Sequence, residues 1–331
     1  VSGRYDVLPG MRLFGKSGFG MPPEWGHFRL DRTTPSYLEE KLRVLADHGL
    51  EARQIDPLGE PPLMVEALWR TLVGLAEEEP TWASVDGHVA SFPLLGFRLR
   101  RRGDEIDIEP HHGDAVLAEL GGRIVAQVEG QTGLARWLDA CALVVPCDFS
   151  LVVAGTDASP KADRTELLHV CFPSSWAPRL KVGRDFAEIH RPVANNEVLM
   201  KGHVNLVRAM CYKGPFVRYA WGFHRHAGLD SHPDFRPPKE DLSHLEPEAL
   251  AAQTWFRVER QTTRPFAGLH RGLFTIRTFV EPLSTVVQDP TKAGLLASAI
   301  RSMDAQSGRY KGMLDRREAL LAYLDAAAKH A

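Results

Sequence analysis

His169 and Cys171 stand two apart in ELLHVCF, a spacing that puts both side chains on one face of an extended strand. A thiolate and an imidazole so placed could share zinc or form a nucleophile and its base, if further ligands or a depressed thiol pKa joined them. Burial of both in a core is the ordinary alternative. His190 has a different setting. It ends GRDFAEIH, a short helical stretch, and Pro192 then turns the chain away from helical geometry. A neutral imidazole on such a shoulder suits axial ligation of haem iron, and equally a surface helix end. In GFHRH, His224 and His226 share a face without an identifiable third ligand, and His203 adds a further candidate. His111 and His112 are adjacent and point apart in an extended chain.

Two strands carry unusual charge. In TWFRVERQTT, alternation sets Arg257, Glu259 and Gln261 on one side with Trp255, and Phe256, Val258, Arg260 and Thr262 on the other, so each side holds a cation. In GLFTIRTF, Thr275 and Arg277 share a face with Leu273 and Phe279. These groups either form a cross-strand ion-pair ladder or bind carboxylates of a cofactor. Arg218 and Tyr219 in VRYAW fall on opposite faces, so at most one meets a given pocket. In SSWAPRL, Ser174 or Ser175 can cap a turn before Trp176, which serves as core or as a pocket wall.

There is no P-loop, no GxGxxG in a strand–helix setting, no HExxH and no GxSxG. Nucleotide-binding folds and simple hydrolases are disfavoured accordingly. A net charge of -2 gives no footprint for nucleic acid or an anionic membrane. The four cysteines include no CxxC pair, which predicts reduced thiols and a cytoplasmic location. No apolar run reaches the roughly 18 residues of a membrane span, and Arg, Asp, Gly and Pro interrupt residues 1–30 where a signal peptide needs an apolar core.

The elements that must position these groups follow from periodicity. Residues 1–33, rich in Gly and Pro, read as an arm with one short strand at HFRL. TTPSYLEEKLRVLADHG predicts a helix closed by Gly49, and PPLMVEALWRTLVGLAEEE a second. FPLLGFRLRRRGDEIDIEPHH and GGRIVAQVEG read as short strands, and TGLARWLDACALV as a helix. CDFSLVVAG, ELLHVCF, FVRYAWGFH, TWFRVERQTT and GLFTIRTFVEPL are strand-like, with room for short helices between the second and third. An α+β fold with a five-stranded, mainly antiparallel sheet and helices over one face is expected, able to hold a flat ligand under the helices. Residues 237–250 form an insertion with about one helical turn. TKAGLLASAIRSMDAQ and MLDRREALLAYLDAAAKHA predict two terminal helices flanking SGRYKG. The division is an N-terminal arm and extension (1–125), a core (126–288) and a C-terminal helical extension (289–331).

VCFPSSWAPRLKVGRDFAEIHRPV, VRYAWGF, FRVERQTTRPF and LFTIRTFVEPL, in that order, closely resemble the haem-dependent oxidative N-demethylase alpha-subunit family. The resemblance implies a PAS-like fold binding haem b and oxidative demethylation of a small methylated amine, dimethylamine in the characterised activity, with O2 consumed and formaldehyde released. It further implies electrons from NADPH through partner subunits carrying FMN and a 2Fe–2S centre, with tetrahydrofolate accepting the one-carbon product. His190 falls on the family's IHxPV histidine and is implied as the iron ligand. Trp176, Arg257, Arg260, Thr262, Thr275 and Thr278 are implied to contact the cofactor, and Arg218, Glu259 and Arg277 to act on bound ligand. Asp148 matches an acidic residue of the first strand. The chain departs from the pattern at Ala220 and Gly222, where Asn and Ser are usual, and at Phe279, where Tyr is common. Two alternatives remain open: a haem-based sensor or carrier without turnover, and a non-haem metalloenzyme using His169, Cys171 or the His224–His226 pair.

Overall fold

The computed structural model describes residues 3–329 apart from 6, 8, 9, 19, 112, 114, 157–161, 237–241 and 243. His112 and residues 237–241 and 243 of the 237–250 insertion lie outside the described residues, and the end of that insertion forms the short helix Pro247–Ala252. Eleven strands alternate with helices among those described. The strands are β1 (Arg12–Leu13), β2 (Arg53–Ile55), β3 (Ser84–Asp86), β4 (Val89–Phe92), β5 (Phe97–Arg102), β6 (Glu105–Pro110), β7 (Asp148–Val153), β8 (Arg164–His169), β9 (Phe216–His224), β10 (Trp255–Phe266) and β11 (Arg271–Pro282). The α-helices are α1 (Thr34–Ala52), α2 (Pro61–Glu78), α3 (Ala118–Glu129), α4 (Gly133–Ala142), α5 (Phe186–His190), α6 (Glu197–Tyr212), α7 (Pro247–Ala252), α8 (Leu283–Val286), α9 (Pro290–Ser302), α10 (Ala305–Tyr310) and α11 (Arg317–Lys329).

The fold is α+β with two antiparallel sheets. The larger has seven strands in the order β1-β9-β10-β11-β7-β8-β2, and β3 to β6 form a four-stranded meander. The five expected strands are its contiguous middle. Their spatial order, second, first, fifth, fourth, third, follows because the long β10–β11 hairpin pairs on one side with β9 and on the other with β7. The sheet exceeds five because β1 from the arm and β2 from the end of α1 pair with its two outer strands, satisfying edge backbone groups.

Alternation along the hairpin gives the two faces different partners. On one face Arg257, Glu259, Gln261 and Thr263 look toward α5 and α6 across a cavity. On the other, Phe149, Leu151 and Leu273 join Leu38, Leu42, Met64, Leu68 and Trp137 of α1, α2 and α4 in the main core. Fully burying each such side chain contributes roughly 1.5–3 kcal/mol. Helices therefore cover both faces, where one was expected. A second core, built around Leu283, Leu296, Ile300 and Leu324, docks the C-terminal helices against Phe223 and Phe256.

Four local expectations are corrected. GGRIVAQVEG is helical, within α3: Leu120, Ile124 and Val128 recur every fourth residue on the buried side, a period that wins over the short β-branched run. HFRL forms no strand; Glu78 instead accepts hydrogen bonds from the backbone N–H groups of His27 and Phe28 at 2.6 and 3.1 Å. Gly49 does not close α1, which kinks at His48 and runs on to Ala52. SGRYKG is largely helical, because Asp304 caps α10 by accepting from Ser307 N–H at 2.7 Å.

Candidate functional site

The cavity between the sheet and the α5–α6 roof encloses about 1390 Å³. Drug-sized ligands occupy pockets of roughly 300–1,000 Å³, so this one has room for a large flat cofactor with a small molecule beside it. Val152, Phe274 and Ile276 form its apolar floor, and Phe186, Leu206 and Met210 its roof. Trp176 lines one side, with Lys181 Nζ 6.0 Å from its ring centroid.

His190 lines the cavity from the last turn of α5, a helix fixed by a capping box between Asp185 and Glu188. Its Nδ1 lies 2.8 Å from Phe186 O, and its ring stacks on the Phe186 ring at 3.9 Å. A carbonyl can only accept, so Nδ1 carries the proton and Nε2 keeps its lone pair. Asn196 Nδ2 holds the His190 carbonyl at 2.9 Å. Burial pushes the imidazole pKa down to about 4, so the ring is neutral at pH 7. A neutral imidazole oriented by a carbonyl on its far nitrogen is the arrangement that metal-ligating histidines use.

Cations dominate the remaining wall. Of the described side chains lining the cavity, ten are Arg or Lys and two are Asp or Glu. Arg257 is satisfied by Phe172 O and Leu229 O, both at 2.5 Å, and by Glu259 at 3.2 Å. Glu259 also accepts from Gln261 Nε2 at 2.9 Å. Arg218 has no hydrogen-bond or ion-pair partner among the described residues; burial lowers its pKa, although nearby Glu259 acts the other way. Lys311 Nζ donates to Trp221 O at 2.9 Å, with its pKa also lowered by burial. Arg316 donates from Nη2 to Phe223 O at 3.1 Å, while Nε and Nη1 have no partner, and burial brings its pKa down to about 10. Orphaned buried guanidinium nitrogens are costly. They fit a ligand that brings carboxylates, and haem b brings two.

Five expected site residues meet in this cavity: Trp176, His190, Arg218, Arg257 and Glu259. Thr278 lies one layer behind, accepting from Arg257 Nη2 at 3.3 Å. Arg260, Thr262, Thr275 and Arg277 point to the opposite face, a correction that strand parity explains. Arg260 binds Glu24, Gly26 O and His27 O, and Arg277 binds Asp31, Thr33 and Pro146 O, so both hold the N-terminal arm to the sheet. The Thr262 and Thr275 hydroxyls bond each other at 2.5 Å across the hairpin. Residue alternation does not reveal Lys311 and Arg316. They reach the cavity only because the C-terminal segment packs along β9, where their donors meet carbonyls of a strand that β1 leaves partly uncovered.

The remaining histidines divide. His224 and His226 line the cavity's far end, joined through Ser231 Oγ at 2.8 and 3.0 Å, and Ser174 Oγ stands 3.4 Å from His224 Nε2. Burial, then Arg257, pushes His224 to about 2. His203 lies on α6 with Nδ1 2.8 Å from Met200 O. His169, Cys171 and Asp148 place ligand atoms within 4.8 Å of one another in the core, away from the cavity. Lys41 already supplies positive charge there: Nζ is 3.7 Å from Asp148 and donates to Ala142 O and Cys147 O. Asp148 Oδ2 accepts from Phe172 N–H at 2.7 Å, a structural tie between β7 and the segment after β8.

All four cysteines are buried and free. No described helix is long and apolar enough to cross a membrane. Residues 21–321 match the family described as haem-dependent oxidative N-demethylase, alpha subunit-like, a span taking in every residue that lines the cavity except those of the first arm segment. The family description names a subunit, which implies a partner. The chain belongs to the haem-dependent oxidative N-demethylase, alpha subunit-like family.

Proposed function

We propose that this chain holds haem b through His190 Nε2 and oxidises the N-methyl group of a small methylated amine. The observation that carries the reading is the His190 imidazole, neutral and oriented by Phe186 O, at the wall of a cavity large enough for haem and substrate together. The order of the five central strands supports a PAS-like core. Arg316, with two nitrogens free among the described residues, is the group to receive a haem carboxylate. Bound haem supplies the redox chemistry with O2.

In the overall conversion the methylated amine, one O2, two electrons and two protons give the demethylated amine, formaldehyde and water. The N–CH3 carbon is oxidised to formaldehyde, its bond to nitrogen breaks, and the nitrogen keeps a proton in its place. The chain contributes binding, orientation and exclusion of water. Arg257 holds Glu259 in place, and Glu259 is the acceptor that could orient an amine N–H. The electrons come from a partner subunit carrying FMN and a 2Fe–2S centre and oxidising NADPH, and tetrahydrofolate takes up the formaldehyde.

Reconstitution of purified protein with hemin tests the ligand. One haem per chain is expected, with an absorption spectrum changed in His190→Ala and restored toward wild type by added imidazole in His190→Gly. An unchanged ferric and ferrous spectrum in His190→Ala would reject the assignment. Haem binding without consumption of any methylated amine, given a reductant and O2, would favour a sensor or carrier.

A further inference from the structure

Among the described cations of the cavity wall, Arg218 has no partner, Arg316 leaves Nε and Nη1 unbonded, and Lys311, like Lys181, donates to one carbonyl. Arg316 is 3% exposed. Arg316 offers two nitrogens to a haem carboxylate, which leaves Arg218 and Lys311 for a second anion. A simple dialkylamine, itself a cation at neutral pH, would add positive charge to a wall where cations already outnumber acids.

The floor between Arg218 and Glu259 has the form to take a zwitterion. In the β9–β10 register Arg218 opposes Gln261 and Ala220 opposes Glu259, so the cation and the carboxylate are diagonal neighbours on one face, about 7–8 Å apart at the backbone. Ala220 and Gly222 keep that floor low, and a Cβ built on Gly222 would meet nothing within 4 Å. The nearby Tyr5 and Tyr310 rings flank the Lys311 ammonium at 5.6 and 6.0 Å, and Glu259 is the anion whose charge acts on it.

We propose that the substrate is an N-methylated amino acid, its carboxylate held by Arg218 and Lys311 and its amine directed toward Glu259. The inference rests on the haem–amine reading and specifies the substrate class of that site. The guanidinium offers two parallel N–H groups to a carboxylate, a geometry that Lys cannot reproduce.

The test titrates haem-loaded protein with N,N-dimethylglycine, dimethylamine and acetate, following the Soret difference spectrum and calorimetry. N,N-dimethylglycine is expected to bind at least about tenfold more tightly than dimethylamine, with acetate competing against it. Arg218→Leu and Lys311→Met should each remove that preference while haem content is kept, and Arg218→Lys should restore part of it. Equal or tighter binding of dimethylamine, or no response to either amine, overturns the proposal. Loss of haem from Arg218→Leu with the preference intact in Lys311→Met assigns the guanidinium to the cofactor and also overturns it. If the wild type binds no haem, the underlying reading fails instead, and calorimetry on haem-free protein then judges the carboxylate preference alone.

Discussion

Arg277→Met separates an arm anchor from a cavity group. The guanidinium donates from Nη1 to Pro146 O at 2.9 Å and from Nη2 to Thr33 Oγ1 at 2.8 Å and Asp31 at 3.2 Å, and it lies 4.0 Å from the Tyr37 ring centroid. It is 3% exposed. Breaking a buried hydrogen-bonded pair costs about 3–5 kcal/mol, and Asp31, partly open to water, recovers some solvation, so a loss near the lower end, about 3 kcal/mol, is expected. At roughly 2–4 °C per kcal/mol for chains approaching this size, the thermal midpoint should fall by about 6–12 °C. Haem stoichiometry and spectrum, measured on the same preparation below its transition, should match wild type. A variant that keeps its thermal midpoint but loses haem or changes its spectrum would refute the face assignment.

The same pair gives a pH signature. Burial raises the Asp31 pKa, but hydrogen bonds from Thr33 and then the charge of Arg277 prevail, leaving it below the usual carboxylate value. A carboxylate with a lowered folded-state pKa stabilises the native state above its unfolded pKa, and that contribution is lost as pH falls through the folded value. The gap in stability between wild type and Arg277→Met should therefore be widest near neutrality and narrow in acid. A gap that widened in acid would contradict the pairing.

The remaining predictions concern the roof, the core and the cavity's far end. Gly272→Ala would set a Cβ 2.6 Å from Met210 O in the α6 backbone, so it should cost about 1–3 kcal/mol and lower haem affinity by displacing the roof; unchanged unfolding and haem titrations would refute that close approach. Lys41→Met should destabilise by about 3–5 kcal/mol by leaving Asp148 uncompensated, and adding Asp148→Asn should recover much of the loss in denaturant unfolding. Burial holds the thiols of Cys147 and Cys211 up at about 12 and raises the other two, so a thiol reagent at pH 8 should modify none in native protein and four after denaturation. His224, held down to about 2, should show constant imidazole nitrogen shifts from pH 4 to 8; an inflection near the ordinary histidine pKa would contradict its burial.

What could be read from the residues alone divides along physical lines. Strand alternation from Trp255 to Thr262 correctly sorted Arg257 and Glu259 from Arg260, because a strand's two-residue period is a local property. It could not say which face holds the cavity, since both carry cations. That depends on what covers each face: the arm at Glu24 to Thr33 on one side, α5 and α6 on the other. The same limit hid Lys311, an unremarkable residue in SGRYKG until the C-terminal segment places its ammonium against Trp221 O. GGRIVAQVEG misled for a different reason. Ile124, Val125 and Val128 satisfy a strand's composition and a helix's period at once, and packing of Leu120, Ile124 and Val128 against the core decides between them.

His190 joins the two kinds of information. Pro192 and the short helical stretch mark a fixed shoulder locally, but that shoulder permits a solvent-facing helix end as readily as a ligand. Its orientation comes from Phe186 O on Nδ1, which fixes the tautomer, and from Asn196 on the carbonyl, which fixes the turn. Both partners come from within six residues, so the imidazole's orientation is set by local sequence, while its function depends on the distant β10–β11 hairpin that forms the opposite wall. A mutation in that hairpin's cavity face can therefore change what His190 meets without changing how His190 is held, and the reverse holds for Asp185 or Glu188 at the α5 cap.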